Sequence, residues 1–268
     1  MKIYDLEGKE TGKIEVPSQF NEPYHPDLIK RAVLTIQSVK RQPYGAAFKA
    51  GQNYSARISK RRKDYRTSYG HGISRAARKV MWRRGRQFGW VGAVTPGTTG
   101  GRKAHPPKPQ KIWAKKINKV EELKAIRSAL GATLNQELVT GRGHKIPQVF
   151  PLLIESKLES LKKTKEIKLV LEKLGLQKEL TRASEKKVRA GKGKARGRKY
   201  KKKKGILIVV SNICNLQKAA KSIPGTDIVE VSKLNAELLA PGSVAGRLTL
   251  YTDKALERMK KEKLYLKK

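Results

Sequence analysis

The spacing of apolar side chains changes character several times along the chain, and each change marks an element. Lys2–Glu7 alternates and stops at Gly8, which predicts a short strand, with Lys13–Val16 as its hairpin partner. Pro26 opens a stretch in which Leu28, Ile29, Ala32, Val33, Ile36 and Val39 share one helical stripe, ending at Gln42-Pro43. Periodicity resumes at Asn118, placed to cap a helix, with Glu121 at the capping-box position and Val120, Leu123, Ile126, Leu130 and Leu134 directed at a core. Leu152–Ile154 reads as a strand that starts after Pro151, because proline cannot donate to a ladder. Two short helical pieces follow, with Ile167, Val170, Leu171 and Leu174 inward and Gly175 as a C-terminal cap.

Ile206–Val210 is an unbroken apolar run, as expected of a strand covered on both faces. A helical stretch holding Cys214 runs to Ser222, and Pro224-Gly225 turns the chain into a strand at Asp227–Val231. Leu248–Tyr251 and a helix from Asp253 repeat the alternation. Strands alternating with helices imply a parallel sheet with right-handed crossovers. The expected fold is therefore α/β: an open, mainly parallel sheet with flanking helices, built from residues 1–44 and 117–268 and interrupted by a long extended loop, 45–116.

Charge sets that loop apart. Residues 45–116 hold 19 Lys or Arg against one acid, Asp64, and show no sustained hydrophobic period. A second cluster, 186–204, adds 12 basic residues and no acid, so the two segments carry most of the net charge of +40. The remainder has the balanced surface of an ordinary globular domain. Cationic charge this concentrated points to a phosphate backbone as partner.

Other chemistries find little support. One cysteine, Cys214, excludes a disulfide framework and a multi-cysteine zinc site. His25, His71, His105 and His144 are scattered without metal-ligand spacing, so neither a metal nor a cofactor is expected. No apolar run reaches the roughly 20 residues of a membrane span, and no signal peptide is read at the start. Gly191, Gly193 and Gly197 miss the dinucleotide fingerprint by one residue and precede a strand instead of following one. Two competing readings stay open: an RNA- or DNA-modifying enzyme, and a histone-like condenser. The first lacks a glycine turn after Val210, where Ser211-Asn212-Ile213 stands, and the second leaves the aromatic-rich insertion unexplained.

The basic loop interleaves phosphate-pairing charge with planar rings. Its candidate contacts are Arg57, Lys60, Arg61, Arg62, Tyr65, Arg66, Tyr69, Arg75, Arg78, Lys79, Trp82, Arg83, Arg84, Arg86 and Trp90, followed by Arg102, Lys103 and His105. All three tryptophans, at 82, 90 and 113, lie in this segment, whereas a solvated charged tail has few aromatics. Unstacked bases lie on such rings, and Arg adds guanidinium stacking and bidentate phosphate contacts. This mixture suits loops and bulges of RNA better than duplex DNA. In the second cluster Lys192, Lys194, Arg196, Arg198 and Lys199 sit among glycines, while Lys201–Lys204 is a plain run of point charges.

Several stretches carry a resemblance: 65–75 (YRTSYGHGISR), 100–108 (GGRKAHPPK), 126–133 (IRSALGAT), 190–200 (AGKGKARGRKY) and 239–248 (LAPGSVAGRL). Through them the chain resembles the large-subunit ribosomal protein four family of the archaeal and eukaryotic type, at archaeal length. The resemblance implies a cytoplasmic ribosomal protein without catalytic residues, cofactor or small-molecule substrate. It implies a globular α/β body, and a long loop that threads into large-subunit rRNA and reaches the narrow part of the nascent-chain exit tunnel. The loop's tip is expected at Ser68, Tyr69, Gly70, His71, Gly72, Ile73, Ser74 and Arg75. Its expected neighbours are the loop of ribosomal protein twenty-two and the passing nascent polypeptide.

Overall fold

A computed structural model describes residues 1–59, 61–63, 68–85 and 87–266 of the 268. In chain order the elements are β1 (Lys2–Tyr4), β2 (Glu10–Lys13), α1 (Pro26–Lys40), β3 (Arg78–Arg84), β4 (Gln87–Gly92), α2 (Lys119–Leu134), α3 (Gln136–Gly141) and β5 (Leu152–Ile154). There follow α4 (Thr164–Lys173), α5 (Gln177–Ser184), β6 (Lys186–Val188), β7 (Tyr200–Lys202), β8 (Leu207–Val210), α6 (Leu216–Ala220), β9 (Asp227–Glu230), α7 (Ala236–Leu239), β10 (Thr249–Thr252) and α8 (Asp253–Lys261). The chain forms two compact units, one of residues 1–40 with 114–268 and the other of residues 41–113.

The larger unit is built on a six-stranded sheet in the order β2-β1-β5-β10-β8-β9. Every pairing is parallel except β1 with β2. The α/β expectation holds, and its physical basis is visible in the register. Leu153, Tyr251 and Val209 align across three strands and face one layer, while Leu152, Leu250 and Ile208 align one residue earlier and face the other. The first layer packs against α1, α2, α7 and α8; the second packs against α4, α5 and α6. A strand sandwiched this way needs apolar side chains at every position, which is why Ile206–Val210 carries no alternation.

Several local expectations are corrected. The hairpin partner of β1 is Glu10–Lys13, three residues earlier than the expected Lys13–Val16, because Gly8 in the left-handed region turns the chain at once. Asn118 makes no side-chain cap, and Glu121 pairs with Arg31 instead of closing a capping box. The side-chain cap belongs to Asn135, whose Oδ1 accepts the N–H groups of Glu137 and Leu138 at the start of α3. Val39 and Val120 are exposed at helix ends, where the stripe has run past the layer it covers. Cys214 lies ahead of the short α6, half-buried, and burial pushes its thiol pKa up. The basic loop, expected without regular structure, contains the antiparallel β3–β4 hairpin, and the second cluster contains β6–β7.

Candidate nucleic-acid interface

Within 41–113, β3 and β4 pair from Arg78↔Gly92 to Arg84↔Gln87, with an irregularity between Val80 and Trp82 that re-aims the side chains beyond it. The Trp82 indole crosses Gly89, where a Cβ would collide with it, so glycine is required opposite the ring. Trp82, Arg83 and Arg84 are left exposed along one strand, with the Arg83 guanidinium 5.4 Å from the Phe88 ring centroid. Trp90 is half-buried, 6.0 Å from His71 edge to face and 5.9 Å from Phe88. Arg57 bridges Arg78 through two backbone hydrogen bonds of 3.4 Å, and the Lys79 ammonium lies 3.9 Å over the Tyr54 ring.

The stretch expected at the tip precedes this hairpin. Gly70 and Gly72 both have positive φ, with open space where a Cβ would stand. His71, Ile73, Ser74 and Arg75 are exposed, Ser68 is buried, and Arg75 stacks 4.9 Å from the centroid of Tyr69. Arg78 is held by Ser74 Oγ at 3.1 Å and the Ala76 carbonyl at 3.2 Å. Arg61 and Arg62 are exposed, and Arg62 also approaches Tyr69. Lys60, Tyr65, Arg66 and Arg86 lie outside the described residues.

At the root of this unit its two legs are joined. Arg41 lies 3.7 Å over the Trp113 ring, Tyr44 stacks on the same indole at 5.7 Å and 15°, and the Lys111 ammonium sits 4.4 Å from it. The Ala46 N–H donates to the Pro107 carbonyl at 3.0 Å, and Gly45 is pressed against Pro109 so closely that no side chain fits. Lys103 and His105 lie exposed just before this clasp, and Arg102 donates its N–H to Val94. Sequence reasoning missed Arg41, Tyr44 and Trp113 as a group, because residues about 70 apart show no common pattern until they meet.

The second basic cluster is an exposed hairpin, with Val188 opposite Tyr200 and a loop folded on itself by the Gly193 carbonyl, which accepts from the N–H groups of Arg196 and Arg198. Lys192, Lys194, Arg196, Arg198 and Lys199 all face solvent. Lys186 and Lys199 flank the half-exposed Tyr200 ring, at 5.9 and 5.6 Å, an aromatic the charge pattern did not single out. The lysine run divides by role: Lys201 and Lys202 belong to β7, while Lys203 pairs with Glu185 and Lys204 with Asp227, each at 2.9 Å.

That hairpin stands on a buried polar network. Glu179 is fully buried and accepts from Arg182 at 2.6 and 2.7 Å, from His144 Nδ1 at 2.7 Å and from the Lys145 N–H at 3.0 Å. Burial alone would raise its pKa, but these donors outweigh it and hold the carboxyl at about 2. Burial keeps the His144 ring below its ordinary value, against the pull of Glu179. Arg182 also donates to the Lys204 carbonyl at 2.8 Å, and the buried Arg247 donates to the Gly205 carbonyl at 2.9 Å and to Asp227 at 2.6 Å. The chain leaving the basic hairpin at Lys204 and Gly205 is thereby tied to α5 and, through Arg247 and Asp227, to β9. Among the described residues no cluster of His, Cys, Asp and Glu has the makings of a metal site, and no helix is long and apolar enough to cross a membrane.

Comparison with known proteins gives concordant matches. The profile of the ribosomal protein L4/L1 family matches residues 14–262. A large ribosomal subunit protein uL4 from Nanoarchaeum equitans is 53% identical over 264 residues, covering 98% of both chains. Proteins of the same description from Archaeoglobus fulgidus and Methanocaldococcus jannaschii are 46% and 44% identical, each covering 96% of this chain.

Proposed function

This chain belongs to the ribosomal protein L4/L1 family, and from that premise we propose that it binds large-subunit rRNA through residues 45–116 and 186–204. Members of the family are structural constituents of the cytoplasmic ribosome, not enzymes. On this reading the α/β body, residues 1–44 and 117–268, positions the protein. The loop neutralises phosphates where RNA segments converge, and Ser68–Arg75 forms its tip at the narrow part of the exit tunnel, beside the loop of ribosomal protein twenty-two. The observation that carries it is the exposed β3–β4 hairpin, where Trp82, Arg83 and Arg84 stand in a row within a segment whose single acid is Asp64. A planar ring for bases beside two guanidinium groups for phosphates is the pairing that single-stranded RNA requires. Paired gradient sedimentation and ultraviolet crosslinking test the proposal. The chain should travel with the large subunit and crosslink to its rRNA through Tyr69, Trp82 or Trp90. Light fractions with crosslinks to transfer RNA, or to nothing, would overturn it.

A further inference from the structure

Between the clasp and the proline-rich return of the 41–113 unit lies an open cavity of about 760 Å³. It is shallow, since all of its lining residues except Pro106 are exposed, and a guest would lie against it with one side in solvent. Tyr44 lines it, half-exposed, with its ring held in place by stacking on Trp113. His105 and the rigid pair Pro106-Pro107 line it as well, and the Gln110 amide supplies both a donor and an acceptor. Lys103, Lys108 and Lys111 contribute to the rim, and no acid lines it.

We propose that this cavity receives one unpaired nucleotide, its base against Tyr44 and His105 and its phosphates against the rim lysines. The inference rests on the reading that residues 45–116 bind rRNA, and it adds a defined pocket to what is otherwise a surface of charge. Each component answers one part of the ligand. Flat, apolar walls favour a base, which offers a π-face whatever its identity. Gln110 can address the hydrogen-bonding edge that an unpaired base exposes. Three lysines without a neighbouring acid favour a phosphate-bearing guest over the side chain of another protein. Stacking on Trp113 fixes the Tyr44 ring before any ligand arrives, so that wall adds little ordering cost to binding. A preformed wall also distinguishes this place from Lys201–Lys204, where charge stands without a shaped surface.

The test uses intact large subunits, irradiated with ultraviolet light and digested with nuclease and protease, followed by sequencing of nucleotide-bearing peptides. A nucleotide adduct on Tyr44, or within residues 103–111, is expected. In subunits carrying Tyr44→Leu, one rRNA base should become severalfold more reactive to chemical probes. Gln110→Ala serves as the second variant should the first fail to assemble, with the same base expected to respond. Adducts confined to the β3–β4 hairpin, with unchanged base reactivity in either variant, would overturn the pocket while leaving the rRNA-binding reading intact. A crosslink from Tyr44 to a neighbouring protein would overturn it in favour of a protein guest. No rRNA adduct anywhere on the chain would sink the underlying reading itself.

Discussion

Glu159 accepts two hydrogen bonds from Ser211, one from its backbone N–H at 2.8 Å and one from its hydroxyl at 2.7 Å. A third comes from the Thr252 hydroxyl at 2.7 Å. Ser211 directly follows β8 and Thr252 ends β10, adjacent strands whose following helices, α6 and α8, cover opposite layers of the sheet. Such a switch point is where open α/β sheets hold ligands. Here a carboxylate from the segment after β5 fills it, and Arg258 closes the neighbouring edge by donating to the Ser211 carbonyl and to Asn212. The enzyme reading loses its natural location for this physical reason.

Glu159→Ala should therefore destabilise the body by about 1.5–3 kcal/mol, because three donors lose an ionised acceptor. Urea denaturation of the purified chain measures it. A midpoint equal to that of the unaltered protein would show that water replaces the carboxylate without cost.

Removing Glu179 should do more damage. Glu179→Ala strands the Arg182 guanidinium, which is 14% exposed, without its partner, a loss of roughly 3–5 kcal/mol. The loosened root should also speed trypsin cleavage within the β6–β7 hairpin before the body unfolds. A variant whose body unfolds at the same denaturant concentration as the unaltered chain would contradict this account.

Acid should weaken the same network in two stages. His144 is held below 6.5 by burial, so its contribution is complete above that pH and declines as protons bind the unfolded chain first. Glu179, lowered from 4.5 to about 2, contributes fully above 4.5 and loses its contribution as the pH falls toward 2. Denaturation midpoints should fall from pH 7.5 to pH 4 and below, and the loss below pH 4.5 should be smaller in Glu179→Gln. An equal acid loss in both proteins would place the effect elsewhere.

Gly131 offers a case in which helix propensity and packing disagree. Alanine is favoured over glycine in a helix interior by about 0.5–1 kcal/mol. A Cβ at Gly131 would lie 2.8 Å from the Phe20 carbonyl oxygen and 3.1 Å from that of Glu22, both backbone atoms. Beside them the His25 N–H is already fixed to Ser128 Oγ at 2.7 Å, so the segment cannot retreat freely. Packing should win, and Gly131→Ala should cost about 1–3 kcal/mol by thermal or chemical unfolding. A stabilised variant would mean that residues 20–22 yield easily.

The clasp predicts a local effect without a global one. Trp113→Ala removes the surface shared by Arg41, Tyr44 and Lys111. Trypsin should then cut more quickly between residues 47 and 110 of the free protein, with the body's unfolding midpoint unchanged. Identical cleavage rates would show that backbone pairing, such as Ala46 with Pro107, holds the legs by itself.

The elements legible from residue order were those whose cause is local. Ile206–Val210 announced a doubly covered strand because burial on both faces leaves no polar position, and α1 announced itself because one stripe meets one layer. Family membership was legible from long contiguous motifs, and the cationic segments from their density of charge. The β3–β4 hairpin was not, since among the described residues its strands contribute nothing to either apolar layer of the body and so carry no alternation to read. Nor was the network around Glu179, one acid among several on amphipathic helices until folding brought His144 and Arg182 to it. The clasp of Arg41, Tyr44 and Trp113, and the plug of Glu159 between β8 and β10, arise from the meeting of distant segments. Pattern along a chain records which face each residue turns inward, and only tertiary packing decides which other residue it finds there.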